Sequence, residues 1–250
     1  MSGQGALTFD RGEAVTLSTG QTLEFPISTN STITAVILSA NRDLAAELLP
    51  DGLAPIRAGR GRAAVWLMSA QHRNVGGGSL DDYNEFAVMI SATAGEMKGT
   101  PYISPLFRTE TYVWYMPVTH EPARAFGDEL WGYPKEVADI EIDEHDGTHR
   151  TTVTVDGDHF ITLEVEHPPT FSQEDTLTTY TVKDDTLLRV DTDTVGEMGI
   201  WPYTTKFSYT LGDHPRASEL DQLDLGSRAF GRFHGKGELV FPSGDPIDNR

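Results

Sequence analysis

From Ile33 onward the chain reads as one strand-like run after another, and that pattern limits the fold more than any other property of the sequence. Ile33–Ala40 is a β-branched, almost wholly apolar run of the kind that forms a buried strand. Strand-like segments follow at 62–71, 83–93, 109–116, 137–142, 150–155 and 159–166, the last two joined by Asp156-Gly157, a strong hairpin signal. Further strands are expected at 178–183, 186–191, 207–211 and 232–241, while residues 1–30 hold one short strand plus loop. Helix signals are few. Asn41 can cap a short helix over Asp43–Leu49, closed by Pro50-Asp51-Gly52, and Thr119 can cap a second with Pro122 in its first turn. Gly76-Gly77-Gly78 lacks the Gly-Lys-Ser/Thr continuation of a phosphate loop and reads as a flexible turn. With no internal repeat and no linker, residues 1–250 are expected to form one domain, α+β but mainly β, mostly antiparallel, with helices on its rim.

The second helix runs to about Leu130 and leads into Trp131-Gly132-Tyr133-Pro134-Lys135-Glu136. Pro134 fixes its own φ and pushes Tyr133 toward extended geometry, so the helix must end by Gly132. Lys135 therefore sits at the mouth of the next strand, beside Trp131 and Tyr133. Lysine is scarce here, five residues in all, namely Lys98, Lys135, Lys183, Lys206 and Lys236. An amine held against apolar surface loses the hydration of its charged form, which favours the neutral, nucleophilic form. A neutral lysine amine forms Schiff bases with ketones.

Gly-Tyr-Pro-Lys (132–135), preceded by Glu-Pro-Ala-Arg-Ala-Phe-Gly-Asp-Glu-Leu (121–130), resembles the signature of the acetoacetate decarboxylase family. In that family a helix passes through Gly-x-Glu to an aromatic-Pro-Lys turn whose lysine forms the Schiff base. An activated lysine is a property of that family and enters on the resemblance. The match is close over 121–139 and looser from Leu44–Pro50 to the strand at 228–242. It implies a closed, cone-like antiparallel β-barrel with the active site inside. It also implies Lys135 as nucleophile and Glu85, in Tyr83-Asn84-Glu85, as the carboxylate facing it and moving protons. Tyr133 and Met116 match the family's tyrosine two before the lysine and its pocket methionine, either as substrate contacts or as packing residues. Arg108 and Arg73 are candidates, by location, for the substrate-carboxylate contact. The family's decarboxylase has a second lysine directly after the first, where this chain has Glu136; a carboxylate facing the amine would oppose its activation, and strand alternation allows the other face instead, a choice the sequence leaves open. The implied activity is a Schiff-base lyase on a small keto acid. The same lysine also supports an aldolase-dehydratase on pyruvate plus an aldehyde, and a non-catalytic small-molecule-binding barrel is the alternative from another class. A homo-oligomer is the expected assembly.

Composition closes other routes. Lys plus Arg total 19 against 38 Asp plus Glu, so the net charge is −19, which repels nucleic acid and anionic membranes. Such an acidic, lysine-poor surface suits a salt-rich cell interior, and a halophilic source is expected. The absence of cysteine excludes disulfides, thiol catalysis and Cys-ligated zinc. No apolar run approaches the roughly 20 residues of a membrane span, and no signal peptide is visible, so a cytoplasmic location is expected. His145 and His149 are four apart, but Gly147 breaks any helix between them; they read as loop residues, and neither a metal nor a cofactor is expected. No serine lies in a nucleophile-elbow motif.

Overall fold

The structure is a computed structural model that describes residues 9–95 and 110–247. In chain order its elements begin with β1 (Ala14–Thr16), β2 (Thr22–Glu24), β3 (Ile27–Asn41), α1 (Arg42–Glu47), β4 (Leu53–Pro55), β5 (Arg62–Arg73) and β6 (Tyr83–Ala94). Next come β7 (Glu110–Val118), α2 (Glu121–Trp131), β8 (Lys135–Val137), β9 (Asp139–His145), β10 (Thr148–Val155) and β11 (Asp158–Glu166). The chain ends with β12 (Phe171–Lys183), β13 (Thr186–Thr204), β14 (Phe207–Leu211), α3 (Pro215–Asp221), β15 (Ala229–Phe241) and β16 (Asp245–Pro246).

Seven strands close into a barrel in the order β6-β5-β3-β15-β13-β12-β7, with β7 pairing back onto β6. Every step of this ring is antiparallel except one: β7 and β12 run parallel where the barrel closes. The short β8 adds to β7, also in parallel, with Met116 opposite Lys135. A four-stranded sheet, β14-β11-β10-β9, packs against the outside of the barrel.

That arrangement explains the continuous apolar runs. Strands β3, β5 and β6 are buried on both faces. Their alternate residues Val36, Leu38, Val65, Leu67, Phe86 and Val88 join the core shared with the outer sheet. The intervening Ala35, Ile37, Trp66, Ala87 and Met89 face the barrel interior. Only strands covered on both sides lose the polar alternation in this way.

Several boundaries move from the sequence expectation. Asn41 caps α1 as expected, its Oδ1 accepting from the backbone N–H groups of Asp43 and Leu44. The cap of α2 is His120, whose Nδ1 accepts from Ala123 N; the Thr119 hydroxyl is taken by the backbone N–H of Asn84. The N-terminal segment forms a two-stranded β1–β2 ribbon in place of one strand. Strands β12 and β13 extend far past their apolar centres because exposed threonines and aspartates bond across the ladder, as Thr176 Oγ1 does to Asp193 (2.9 Å). His145 and His149 are strand residues, not loop residues: Asp146-Gly147, both at positive φ, turn β9 into β10. Gly76–Gly78 form a single tight turn, all three at positive φ. Among the described residues, no helix is long and apolar enough to cross a membrane.

Candidate active site

Lys135 is delivered by a turn fastened on every side. Helix α2 ends at Gly132, whose φ of 70° is left-handed and whose amide bonds back to Asp128 O and Gly127 O. A Cβ there would meet Val182 O at 2.5 Å, so both conformation and space demand glycine. Thr181 Oγ1 donates to Gly132 O (2.8 Å), and Lys183 Nζ donates to Glu129 O (2.6 Å) at the electronegative end of the helix. Trp131 Nε1 donates to Pro242 O (3.0 Å). Strand β8 then starts at Lys135 itself, paired with Met116 of β7.

The lysine side chain crosses the face of α2 at Gly127. A Cβ at that position would lie 2.2 Å from Lys135 Cε, 2.6 Å from Cδ and 3.0 Å from Nζ. The helix carries glycine where the lysine needs the space.

Lys135 Nζ ends inside the barrel at one wall of a cavity of about 150 Å³, close to the size of a site that holds a benzene-like molecule. Its side chain is only 3% exposed and that of its partner, Glu85, 7%. Nζ donates to Glu85 Oε2 at 2.7 Å. It also lies over the Tyr83 ring (5.1 Å to the centroid) and near that of Phe126 (5.7 Å), distances at which a cation is attracted to an aromatic face. Behind Glu85, His72 Nε2 approaches Oε1 at 3.6 Å, and His72 Nδ1 shares a hydrogen bond with Ser31 Oγ (2.8 Å). Burial pushes the Glu85 carboxyl up, but attraction to Lys135 and then the contact with His72 outweigh it, holding the group down at about 2. Burial drives Tyr83 and Tyr133 above the ordinary phenol range, so both are neutral hydrogen-bonding groups.

The rest of the wall is apolar, including Ile33, Trp66, Met68, Met89, Met116, Phe233 and Phe241, with Thr111, Thr179 and Thr192 interspersed. Gln173 and Asp175 line it from an exposed part of β12, which marks the mouth. The cavity thus joins one buried amine–carboxylate pair to a mostly apolar wall.

A family model described as acetoacetate decarboxylase (ADC) matches residues 15–248. The chain belongs to the acetoacetate decarboxylase family. No curated protein matches the sequence. Among solved structures it is similar to the acetoacetate decarboxylase of Legionella pneumophila (16% identity, TM-score 0.62, covering 89% of this chain and 87% of that one). It is also similar to the enduracididine biosynthesis enzyme MppR in complex with pyruvate (16% identity, TM-score 0.61, 90% and 91% covered). A third is an acetoacetate decarboxylase-like enzyme from Sphingomonas wittichii (14% identity, TM-score 0.59, 89% and 92% covered). At these identities the likeness establishes the fold.

Within this acetoacetate decarboxylase fold, four of the residues expected from the sequence meet in one place: Lys135, Glu85, Tyr133 and Met116 all line the cavity. The Tyr133 hydroxyl bonds Thr179 Oγ1 (2.6 Å). Glu136 points the other way, accepting from the Tyr115 hydroxyl (2.7 Å) in the core on the outer face, as strand alternation requires. Arg73 is not in the cavity: its guanidinium donates to the carbonyls of His72 and Tyr83 and faces Asp82 at 3.5 Å. Arg108 lies outside the described residues. His72, Ser31 and Gly127 were not expected at the site. His72 and Ser31 have no local signal, because only the register of β3, β5 and β6 brings them to Glu85.

Proposed function

We propose that this chain is a Schiff-base-forming lyase that acts on a small keto acid with an apolar remote end. The observation that carries the reading is a buried lysine amine 2.7 Å from a buried carboxylate at the wall of an apolar cavity, on the family's own turn. In the resting site the two groups form an ion pair. The reaction begins when the Lys135 proton passes to Glu85, which leaves a neutral, nucleophilic amine beside a neutral acid. The free amine attacks the ketone carbon, and Glu85 returns the proton to the carbinolamine oxygen, which leaves as water. The resulting iminium accepts the electron pair released when the bond to the carboxylate carbon breaks, and carbon dioxide departs. Protonation of the enamine carbon and hydrolysis then regenerate Lys135. Tyr133 and Met116 hold the substrate against this pair.

A second reading uses the same lysine for addition of pyruvate to an aldehyde followed by loss of water. It is favoured by Glu136, which stands where the family's decarboxylase has its second lysine and is tied to Tyr115 outside the cavity.

Borohydride reduction of the protein with acetoacetate or with pyruvate, followed by mass spectrometry of the peptide containing residue 135, tests both. An adduct on Lys135, absent from Lys135→Arg, is expected, because a guanidinium stays protonated and forms no imine. Turnover of acetoacetate to carbon dioxide, against condensation of pyruvate with an aldehyde, separates the two reactions. Comparable turnover by the arginine variant would refute the Schiff-base mechanism, and no adduct with any ketone would leave a binding barrel.

A further inference from the structure

A second cluster of titratable side chains lies on the outer face of the barrel wall, and the lyase chemistry does not use it. Glu144 and His149 stand directly opposite each other on β9 and β10. His167 follows the end of β11, two residues beyond Val165, which pairs with His149 from the other side. Two neighbouring strands and the residue just past the end of a third therefore present one ligating side chain each. Their ligand atoms all lie within 4.8 Å of one another.

Glu144 and His149 are hydrogen-bonded to each other, and the separations in the cluster are also those of ligands around one ion. Glu144 Oε1 is 3.2 Å from His149 Nδ1 and 3.9 Å from His167 Nε2. Two ligands of a tetrahedral zinc, each about 2.1 Å from the metal, stand about 3.4 Å apart. The 3.9 Å separation is too long for a hydrogen bond, and His167 Nε2 is a buried nitrogen without a hydrogen-bond partner.

The surroundings orient the rings. His149 Nε2 is bonded to Ser69 Oγ (3.0 Å), which in turn accepts from Thr151 Oγ1 (2.7 Å), so Nδ1 is the nitrogen left facing Glu144. The His167 ring is stacked on His234 at 3.7 Å between centroids, and His234 is itself tied to Thr34 Oγ1 (2.9 Å). The Ser69 bond on the far nitrogen of His149 is the kind of outer partner that metal-ligating histidines usually carry, and the stack holds the plane of the His167 ring.

We propose that Glu144, His149 and His167 bind a divalent transition metal ion of the zinc type, with a fourth position open to water. Two imidazoles and one carboxylate select a borderline cation over magnesium or calcium, which require oxygen ligands. Glu144 is half exposed and provides the way in. Bound there, the ion staples β9, β10 and β11 together.

The test uses the full chain without a histidine tag, stripped with a chelator. It is titrated with cobalt(II) followed by visible absorption, and with zinc(II) by calorimetry. One equivalent of cobalt giving the intense ligand-field bands of a four-coordinate site, displaced by zinc, is the expected result, together with a zinc-dependent rise in Tm. Glu144→Gln and His167→Gln should each weaken binding by at least about 100-fold, more than loss of an outer partner does. His145→Gln, at an exposed neighbour, should bind as wild type. Adduct formation at Lys135 should be indifferent to the chelator, which keeps this outcome separate from that of the lyase reading. If His167→Gln does not fold, Glu144→Gln decides, since its side chain is half in solvent. No stoichiometric binding, or binding that survives both ligand substitutions, overturns the proposal.

Discussion

Gly127→Ala places a methyl group where the structure has the lysine stem. The new carbon would sit 2.2 Å from Lys135 Cε and 2.6 Å from Cδ, against the roughly 3.5–4.0 Å of ordinary carbon contacts. Something must move by about 1.3–1.8 Å. The helix is poorly placed to yield, because Gly132 is wedged against Val182 O and Trp131 is bonded to Pro242 O. The lysine is the far end of a flexible side chain and moves instead. A shift of that size breaks the 2.7 Å contact with Glu85, and a misplacement of about 1 Å can cost about 10²-fold in rate. Stability responds differently. Crowding costs about 1–3 kcal/mol, offset by about 1 kcal/mol from the better helix propensity of alanine, so the net loss is at most about 2 kcal/mol. The assay follows the rate of borohydride-trappable adduct at residue 135 with acetoacetate or pyruvate, alongside Tm. A folded variant with adduct formation slowed by about 10²-fold or more is expected. Adduct formation at the wild-type rate would refute the claim that Gly127 is there to let the amine reach its position.

Glu85 ties the site to acid stability. Its folded pKa is depressed to about 2 from an ordinary 4.5, so its contribution is present above about pH 4.5 and is lost as pH falls toward 2. At about 1.4 kcal/mol per pH unit the full effect is about 3 kcal/mol; thermal melts should show the difference between wild type and Glu85→Gln shrinking across that window, and a constant difference would contradict the ion pair. The same substitution should slow turnover by about 10²–10⁴-fold while leaving the nucleophile in place. The net charge of −19 should make Tm rise steeply toward molar salt, and a melting temperature unchanged between about 0.1 and 2 M would remove the halophilic reading.

What the sequence discloses depends on how local the cause is. Ile33–Ala40 is legible because β3 is buried on both faces and keeps no polar alternation to confuse the reading. The outer halves of β12 and β13 are not, since their ladder is carried by exposed threonine and aspartate pairs that look like loop. The parallel closure of β7 on β12 joins residues about 68 positions apart, Glu110 to Thr178, and no periodicity encodes it. The same division runs through the site. The Gly-Tyr-Pro-Lys turn is a local object, so Lys135 follows from it, whereas the outward direction of Glu136 is decided by its bond to Tyr115, 21 residues away. Glu85 is reached only through the family resemblance, and His72 only through the pairing of β5 with β6.

The histidine cluster is the instructive case, because its key signal is local. Asp146-Gly147 carries the same hairpin signature as Asp156-Gly157, and both aspartates adopt positive φ, 49° and 52°. A two-residue turn at 146–147 forces His145 opposite Thr148 and Glu144 opposite His149. Asking whether His145 and His149 share a helix face tests the wrong period, since Gly147 excludes the helix and supports the hairpin with the same conformational freedom. Under period two, His149 faces the barrel with Glu144 across the ladder, while His145 falls on the exposed side. Only His167 then remains non-local: the Asp156-Gly157 turn sets Val155 opposite Asp158, and Val165 comes to pair with His149 only through a β-bulge between Val153 and Thr154. The Asp146-Gly147 turn thus brings Glu144 and His149 to one face, and the bulge at Val153/Thr154, which neither turn encodes, brings His167 to join them, because a one-residue shift of register exchanges the two faces.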